Sequence, residues 1–280
     1  HLTVANLDQQ IAFYQNTIGL QLHWRESDSA GLGTGLADLL RLTEVQGARR
    51  FRGTSGLYHM AFLLPDRREL ARVVRRFFNQ RYTNYPTDHI LTKSVYLDDL
   101  EGNNIEIYTE SPEDGTFGVE NGNIVARRTN GSLSDGREPM DLDKLFSHLS
   151  GEDRLNAPMP SETKIGHVHL FVANLNATRH FYHDLLGMDD MGVARAFRMG
   201  MVSAGGYHHH IGYNTWQGEG APPSPPNSLG MRYFSFYLPN PTELERMAEH
   251  MLQIGVTFER REEGLFIRDP SQIGLLLIAQ

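Results

Sequence analysis

The chain has 280 residues, enough for two ordinary domains, a net charge of −8 and no cysteine. The absence of cysteine excludes disulfides, zinc–thiolate sites, iron–sulfur clusters and cysteine nucleophiles together, and the acidic balance argues against a non-specific nucleic-acid binder, which needs a basic face. The longest apolar runs, such as Gly274 to Ala279, fall far short of the roughly 20 residues that span a bilayer, so no membrane partner is expected.

His1-Leu2-Thr3-Val4 reads as a strand at the start of a chain without an initiating methionine. A few residues are therefore expected upstream, with no leader marking export, and the cysteine-free composition fits a reducing cytoplasm. Asn6 can cap a helix. The helical period runs on to Phe13-Tyr14-Gln15-Asn16-Thr17-Ile18-Gly19-Leu20, and three short strands separated by turn residues follow. A second unit opens at Gly56-Leu57-Tyr58-His59-Met60-Ala61-Phe62-Leu63-Leu64-Pro65-Asp66. The third repeats the first, with Leu170-Phe171-Val172-Ala173-Asn174-Leu175 and Phe181-Tyr182-His183-Asp184-Leu185-Leu186-Gly187-Met188. The fourth repeats the second at Gly230-Met231-Arg232-Tyr233-Phe234-Ser235-Phe236-Tyr237-Leu238-Pro239-Asn240, and Glu69-Leu70 recurs as Glu243-Leu244.

Units thus begin near residues 1, 56, 165 and 230, each a βαβββ module. Between Ser111 and Glu162 the pattern breaks at Pro112, Gly115, Gly122, Gly131, Gly136 and Pro158, with one helix-like run at Met140 to Leu149. The expected class is α+β: four βαβββ modules paired into two domains, 1–110 and 163–280, joined by a linker over 111–162.

These repeats resemble the vicinal-oxygen-chelate superfamily, which includes glyoxalase I, bleomycin-resistance proteins and type I extradiol dioxygenases. The resemblance covers almost the whole chain outside the linker and implies cupped sheets around a metal. Four modules on one chain look like the extradiol dioxygenases. The runs at 56–59 and 205–212 (Gly-Leu-Tyr-His and Gly-Gly-Tyr-His-His-His-Ile-Gly) are similar to those of the bacillar catechol-2,3-dioxygenase group.

Superfamily ligands occupy one place on a module's first strand and one on its last. Module two fills both, with His59 and with Glu106 in a stretch similar to the family's Asp-Pro-x-Gly-Asn-x-Ile-Glu ending. Module three supplies His167. Module four has Tyr233 and Leu276 there and supplies neither, and module one is unreadable at its first place because that residue precedes His1. The resemblance therefore implies a metal held by His59, Glu106 and His167, from modules two and three packed together. Two imidazoles and one carboxylate suit Fe(II), with Mn(II) as the alternative. A lone strand histidine is more often packed or exposed than a ligand; three together on the template places are harder to dismiss.

Extradiol dioxygenases carry a His-His pair before a hydrophobic residue, its second member an acid–base group; Tyr207-His208-His209-His210-Ile211 is similar, and aligned on Ile211 the resemblance implies that role for His209. Strand alternation leaves two arrangements open: His209 alone faces the metal, or His208 and His210 do. Tyr96, ten residues before Glu106, matches an active-site tyrosine, although an inward aromatic is equally core packing. His89, in Asp88-His89-Ile90, matches a frequent superfamily loop and is expected to line the pocket. Tyr213, Asn214 and Trp216 read as structural. The activity implied is extradiol cleavage of a small aromatic diol with O2. The alternatives are a glyoxalase-like lyase or isomerase, and a metal-free small-molecule binder. Exposed sheet edges favour a homo-oligomer.

Overall fold

A computed structural model describes residues 1–280. In module one, strand β1 (Leu2–Val4) leads into helix α1 (Leu7–Phe13), and strands β2 (Gln21–Arg25), β3 (Ser29–Thr34) and β4 (Ala37–Glu44) follow. Module two repeats this as β5 (Gly56–Leu63), α2 (Arg67–Gln80), β6 (Tyr85–Asp88), β7 (Thr92–Asp98) and β8 (Asn104–Glu110). The next segment carries β9 (Gly115–Glu120), β10 (Asn123–Arg128), β11 (Leu133–Ser134), β12 (Glu138–Pro139) and α3 (Leu142–Phe146). Module three has β13 (Lys164–Phe171), α4 (Leu175–Arg179), β14 (Asp189–Ala194), β15 (Met199–Ser203) and β16 (Ile211–Asn214). Module four has β17 (Gly230–Met231), β18 (Tyr233–Leu238), α5 (Pro241–Gln253), β19 (Glu259–Arg261), β20 (Gly264–Arg268) and β21 (Gly274–Ala279). No helix is long and apolar enough to cross a membrane.

All four main helices start at an Asn or Asp cap, as read for Asn6. Asn6, Asp66, Asn174 and Asn240 are extended, and each side chain accepts a hydrogen bond from the backbone N–H three residues on, satisfying a donor the helix cannot. In modules one and three the helix ends in a π-wound turn, Tyr14–Ile18 and His180–Leu185. The wider turn belongs to the repeated Phe-Tyr motif, and each buried tyrosine reaches into the following module: Tyr14 Oη donates to Asp99 and Tyr182 Oη to Asp269.

In every module the strand that precedes the helix lies parallel beside the last. Modules two and three then join edge to edge, because β5 and β13 pair antiparallel. The result is a nine-stranded sheet in the order β12-β6-β7-β8-β5-β13-β16-β15-β14. Module one joins module four more lightly, through β1 and β17.

Alternation on the central strands divides apolar from polar. Met60, Phe62, Ile105 and Ile107 enter one core, shared with module one, and Val168 and Leu170 enter a second, shared with module four. Burying each such side chain contributes about 1.5–3 kcal/mol, and it leaves His59, Glu106, His167 and His169 on the opposite face.

The 111–162 segment is more than the connector its glycines and prolines suggest. β9, β10 and β11 form a small sheet, β12 adds to the edge at β6, and α3 lies within the expected helical run. Glycine turns at 122 and 131 hide the strands from a periodicity reading, but Thr116-Phe117-Gly118-Val119 and Ile124-Val125-Ala126 between them are β-rich. Arg72 and Arg76 of α2 donate to the carbonyls of Ala157 and Pro158, which ties the end of the segment to module two.

Candidate metal centre

β8, β5 and β13 lie side by side, and the register aligns Glu106, Ala61 and His167 across them. Glu106 and His167 are thus separated by two strand spacings, about 9–10 Å between backbones, with only a methyl group between. Their longer side chains lean over Ala61 to meet. His59, two residues from Ala61 on the same face, completes the group. Nε2 of His59 lies 3.3 Å from Nε2 of His167, and Oε2 of Glu106 lies 3.2 Å and 3.1 Å from them. All three residues are buried, at 5, 3 and 4% exposure for His59, Glu106 and His167.

This donor set fits a metal. Ligand atoms about 2.1 Å from an ion and at right angles to one another lie about 3.0 Å apart, close to the separations found. Two imidazole nitrogens and a carboxylate oxygen pointing at one spot need electron-pair acceptors there. The Glu106 carboxylate is oriented by Ser94, whose hydroxyl donates to Oε1 at 2.6 Å and leaves Oε2 for the imidazoles. Burial by itself would raise the Glu106 carboxyl, but His167, which also hydrogen-bonds it, and His59 outweigh burial and hold it well below the usual carboxylate range. Burial pushes His59 down to about 3, so its imidazole is neutral with a lone pair to give.

Two irregularities in the β5–β13 pairing shape the site. The register skips Tyr58 between Leu57 and His59, and skips Gly166 between Ile165 and His167. A bulge lets consecutive residues reach the same side, and Tyr58 and His59 both line the cavity. At the second bulge glycine is required: a Cβ there would lie 1.9 Å from the Tyr108 hydroxyl. That hydroxyl stands 3.4 Å from Nδ1 of His167 and 2.5 Å from the hydroxyl of Tyr207.

The three donors open into a cavity of about 410 Å³. Tyr96 and His89 line it, and they are linked to each other. Nδ1 of His89 donates to the Gly136 carbonyl, so Nε2 accepts from the Tyr96 hydroxyl at 2.9 Å. All six residues singled out in the sequence, His59, Tyr96, His89, Glu106, His167 and His209, are therefore brought to one cavity.

Comparison with known proteins places the chain in a family. Residues 1–107 and 164–274 match the model of the Glyoxalase/Bleomycin resistance protein/Dioxygenase superfamily. The chain belongs to this superfamily. It is 36% identical over 272 residues to a catechol-2,3-dioxygenase of Bacillus subtilis (strain 168), an alignment covering 96% of this chain and 92% of that one. Among solved structures, glyoxalase I from Zea mays superposes with a TM-score of 0.58 at 14% identity, covering 99% of this chain and 90% of the other. The cppA protein from Streptococcus pneumoniae TIGR4 superposes at 0.54 and 11% identity, covering 100% and 95%. These two share the fold.

Within this superfamily member the histidine triplet departs from the strand expected for it. Residues 207–210 form an irregular turn before β16, which begins at Ile211. Strict alternation therefore does not apply, and His208 and His209 both line the cavity. The ring of His209 lies 4.3 Å from that of His167. Burial, with His167 and His208 beside it, holds His209 well below the usual histidine range, and burial takes His208 down to about 3. His210 is engaged elsewhere, its Nδ1 beside the Ser203 hydroxyl and the Ala204 N–H.

Several cavity residues have no sequence signal of their own. His169 stands opposite His59 in the register. The backbone N–H of Trp216 donates to Oδ1 of Asn214, which orients the amide so that Nδ2 donates to Nε2 of His169. With that lone pair used, His169 stays outside the donor set. Trp216, read from sequence as structural, lines the cavity beside Tyr58 and His169. Phe117, Ile124 and Arg137 of the 111–162 segment form another wall. The spacing rule that finds the ligands says nothing of residues brought in by an insertion.

Proposed function

We propose that the chain is a metal-dependent extradiol ring-cleaving dioxygenase acting on a catechol-type diol with O2. The observation that carries the reading is the triangle of His59 Nε2, His167 Nε2 and Glu106 Oε2, with edges of 3.1–3.3 Å, facing an aromatic-walled cavity. A two-histidine, one-carboxylate face leaves coordination positions for a bidentate diol and for O2, and it suits Fe(II) or Mn(II). The similarity to a catechol-2,3-dioxygenase over nearly the full chain supports the same chemistry.

An ion held there supplies the electron-transfer chemistry that joins a catecholate to O2, and the protein supplies position and protons. Ser94 fixes the carboxylate that faces the ion. His209, a neutral imidazole beside His167, takes a proton from the diol and returns it as the ring opens. The Tyr96 hydroxyl donates its hydrogen bond to His89, so its oxygen is free to accept from a diol hydroxyl. Tyr58, Phe117 and Trp216 keep bulk water from the ring. The product is a semialdehyde, formed by breaking the ring bond next to the diol and incorporating both atoms of O2.

The proposed unit is two domains, 1–110 and 163–280. What supports it is the division of the buried side chains into one cluster centred on modules one and two and another on modules three and four. The functional test loads the protein with Fe(II) without air, then adds catechol and O2. Oxygen uptake with a yellow ring-opened product is expected. Bound iron with no uptake across a panel of diols contradicts the reading.

A further inference from the structure

The cavity has one cationic side chain in its wall, and the chemistry proposed above gives it no task. Arg137 lines the same space as Glu106 and the histidines. Glu106 is buried and Arg137 exposed, so the cavity runs from a buried donor set to a mouth that carries a guanidinium. Its acidic neighbours in sequence are both occupied. Asp135 accepts from the backbone N–H of Arg137, and Glu138 is held by Arg128 and by the Ser134 hydroxyl. The guanidinium itself has no ion-pair partner and rests 5.0 Å from the centre of the Phe197 ring.

An unpaired arginine on an open surface signifies little. This one is held in place from both sides. The carbonyl of Gly136, just before it, accepts from His89 in the chain leading to Tyr96. Glu138, just after it, pairs in register with Asp88 on the sheet edge. The backbone that presents Arg137 is thus fixed to the same residues that line the diol site. The surrounding wall, Phe117, Ile124, Met199 and Trp216, holds an aromatic ring but offers no charge to a substituent.

We propose that Arg137 receives a carboxylate carried on a short arm of the diol, so that the preferred substrates are anionic catechols. The inference rests on the diol-binding reading above and specifies its substrate class. A guanidinium meets a carboxylate through two parallel N–H···O bonds, and charge-assisted pairs of this kind are among the stronger polar contacts.

The test is anaerobic calorimetric titration of the Fe(II)-loaded protein with 3,4-dihydroxyphenylacetate and with 4-ethylcatechol, a neutral diol with an arm of similar length. The wild type is expected to bind the carboxylated diol at least ~10-fold more tightly, with the advantage shrinking in added salt. Arg137→Gln is expected to bring the ratio of the two affinities near one, and Arg137→Lys to keep part of it. Equal affinities in the wild type, or a preference that survives in Arg137→Gln, overturns the proposal. Oxygen uptake with the same two diols separates the two readings. A binding preference lost in Arg137→Gln, with neither diol consumed, removes the dioxygenase reading and leaves the assignment of Arg137 standing.

Discussion

The hydroxyl of Tyr108, on the last strand of module two, sits against Nδ1 of His167, on the first strand of module three, at 3.4 Å. It reaches that position over the bare backbone of Gly166 and continues to Tyr207 at the start of the histidine turn. A metal-ligating histidine usually has its second nitrogen hydrogen-bonded, and loss of such a partner typically costs 10–100-fold in metal affinity. Tyr108→Phe is therefore expected to weaken metal binding by about 10-fold. Gly166→Ala, whose methyl would collide with the hydroxyl, is expected to weaken it more. The double variant is expected to recover part of that loss, because the colliding oxygen is gone. Competition with a chromophoric chelator measures all three, and additive losses in the double variant would count against this geometry.

Tyr96 and His89 are expected to behave as a unit. His89 holds the Tyr96 hydroxyl rather than acting on substrate through a free nitrogen, since both ring nitrogens are engaged. Tyr96→Phe and His89→Ala should each lower kcat/KM for catechol, and the double variant should be little worse than Tyr96→Phe. Fully multiplicative losses would give His89 a separate role.

The turn before β16 makes a sharp distinction among three consecutive histidines. His209→Ala is expected to reduce kcat by about 10²–10⁴-fold, the usual worth of a positioned acid–base group. His210→Gln, which alters a residue held by Ser203 and Ala204, should cost much less. Single-turnover rates on metal-loaded protein check this, and equal losses at 209 and 210 would contradict it.

The second inter-module contact, between Tyr182 and Asp269, is expected to respond to pH. Asp269 accepts from Tyr182 and from the N–H groups of Ser271 and Ile273. Burial raises its carboxyl from 3.8 to about 6. The folded state thus holds this proton more tightly than the unfolded chain, and the stability gained is complete below about 3.8 and lost as pH rises through about 6. Asp269→Asn keeps an acceptor but cannot ionise. The stability of the wild type relative to this variant should fall by up to about 3 kcal/mol between pH 4 and pH 7.5. Urea unfolding at those pH values measures it, and a constant difference would show that Asp269 does not titrate there.

Much of this was legible in the sequence because repetition made it so. Asn6, Asp66, Asn174 and Asn240 announce their helices through a local rule, and the structure finds each one capping. His59, Glu106 and His167 were legible as places on a repeated template, which also pointed to modules two and three facing each other, as β5 and β13 do. The bulges at Tyr58 and Gly166 were not legible, because a bulge belongs to the pairing of two strands more than 100 residues apart. Nor was the wall built by Phe117, Ile124 and Arg137 legible: turn glycines mask the strands of the first two, and Arg137 lies in the loop before β12. Alternation misjudged the histidine triplet because β15 ends at Ser203, a turn at Gly205-Gly206 follows, and the next strand begins only at Ile211.

The most direct measurement is the metal content of purified protein after equilibration with Fe(II) or Mn(II) and removal of free ion, for the wild type and for His59→Ala, Glu106→Gln and His167→Ala. One ion per wild-type chain, with strong loss in each variant whose thermal unfolding stays cooperative, is the expected result. A wild type that retains no metal, or variants that retain it fully, would contradict a site built on these three side chains.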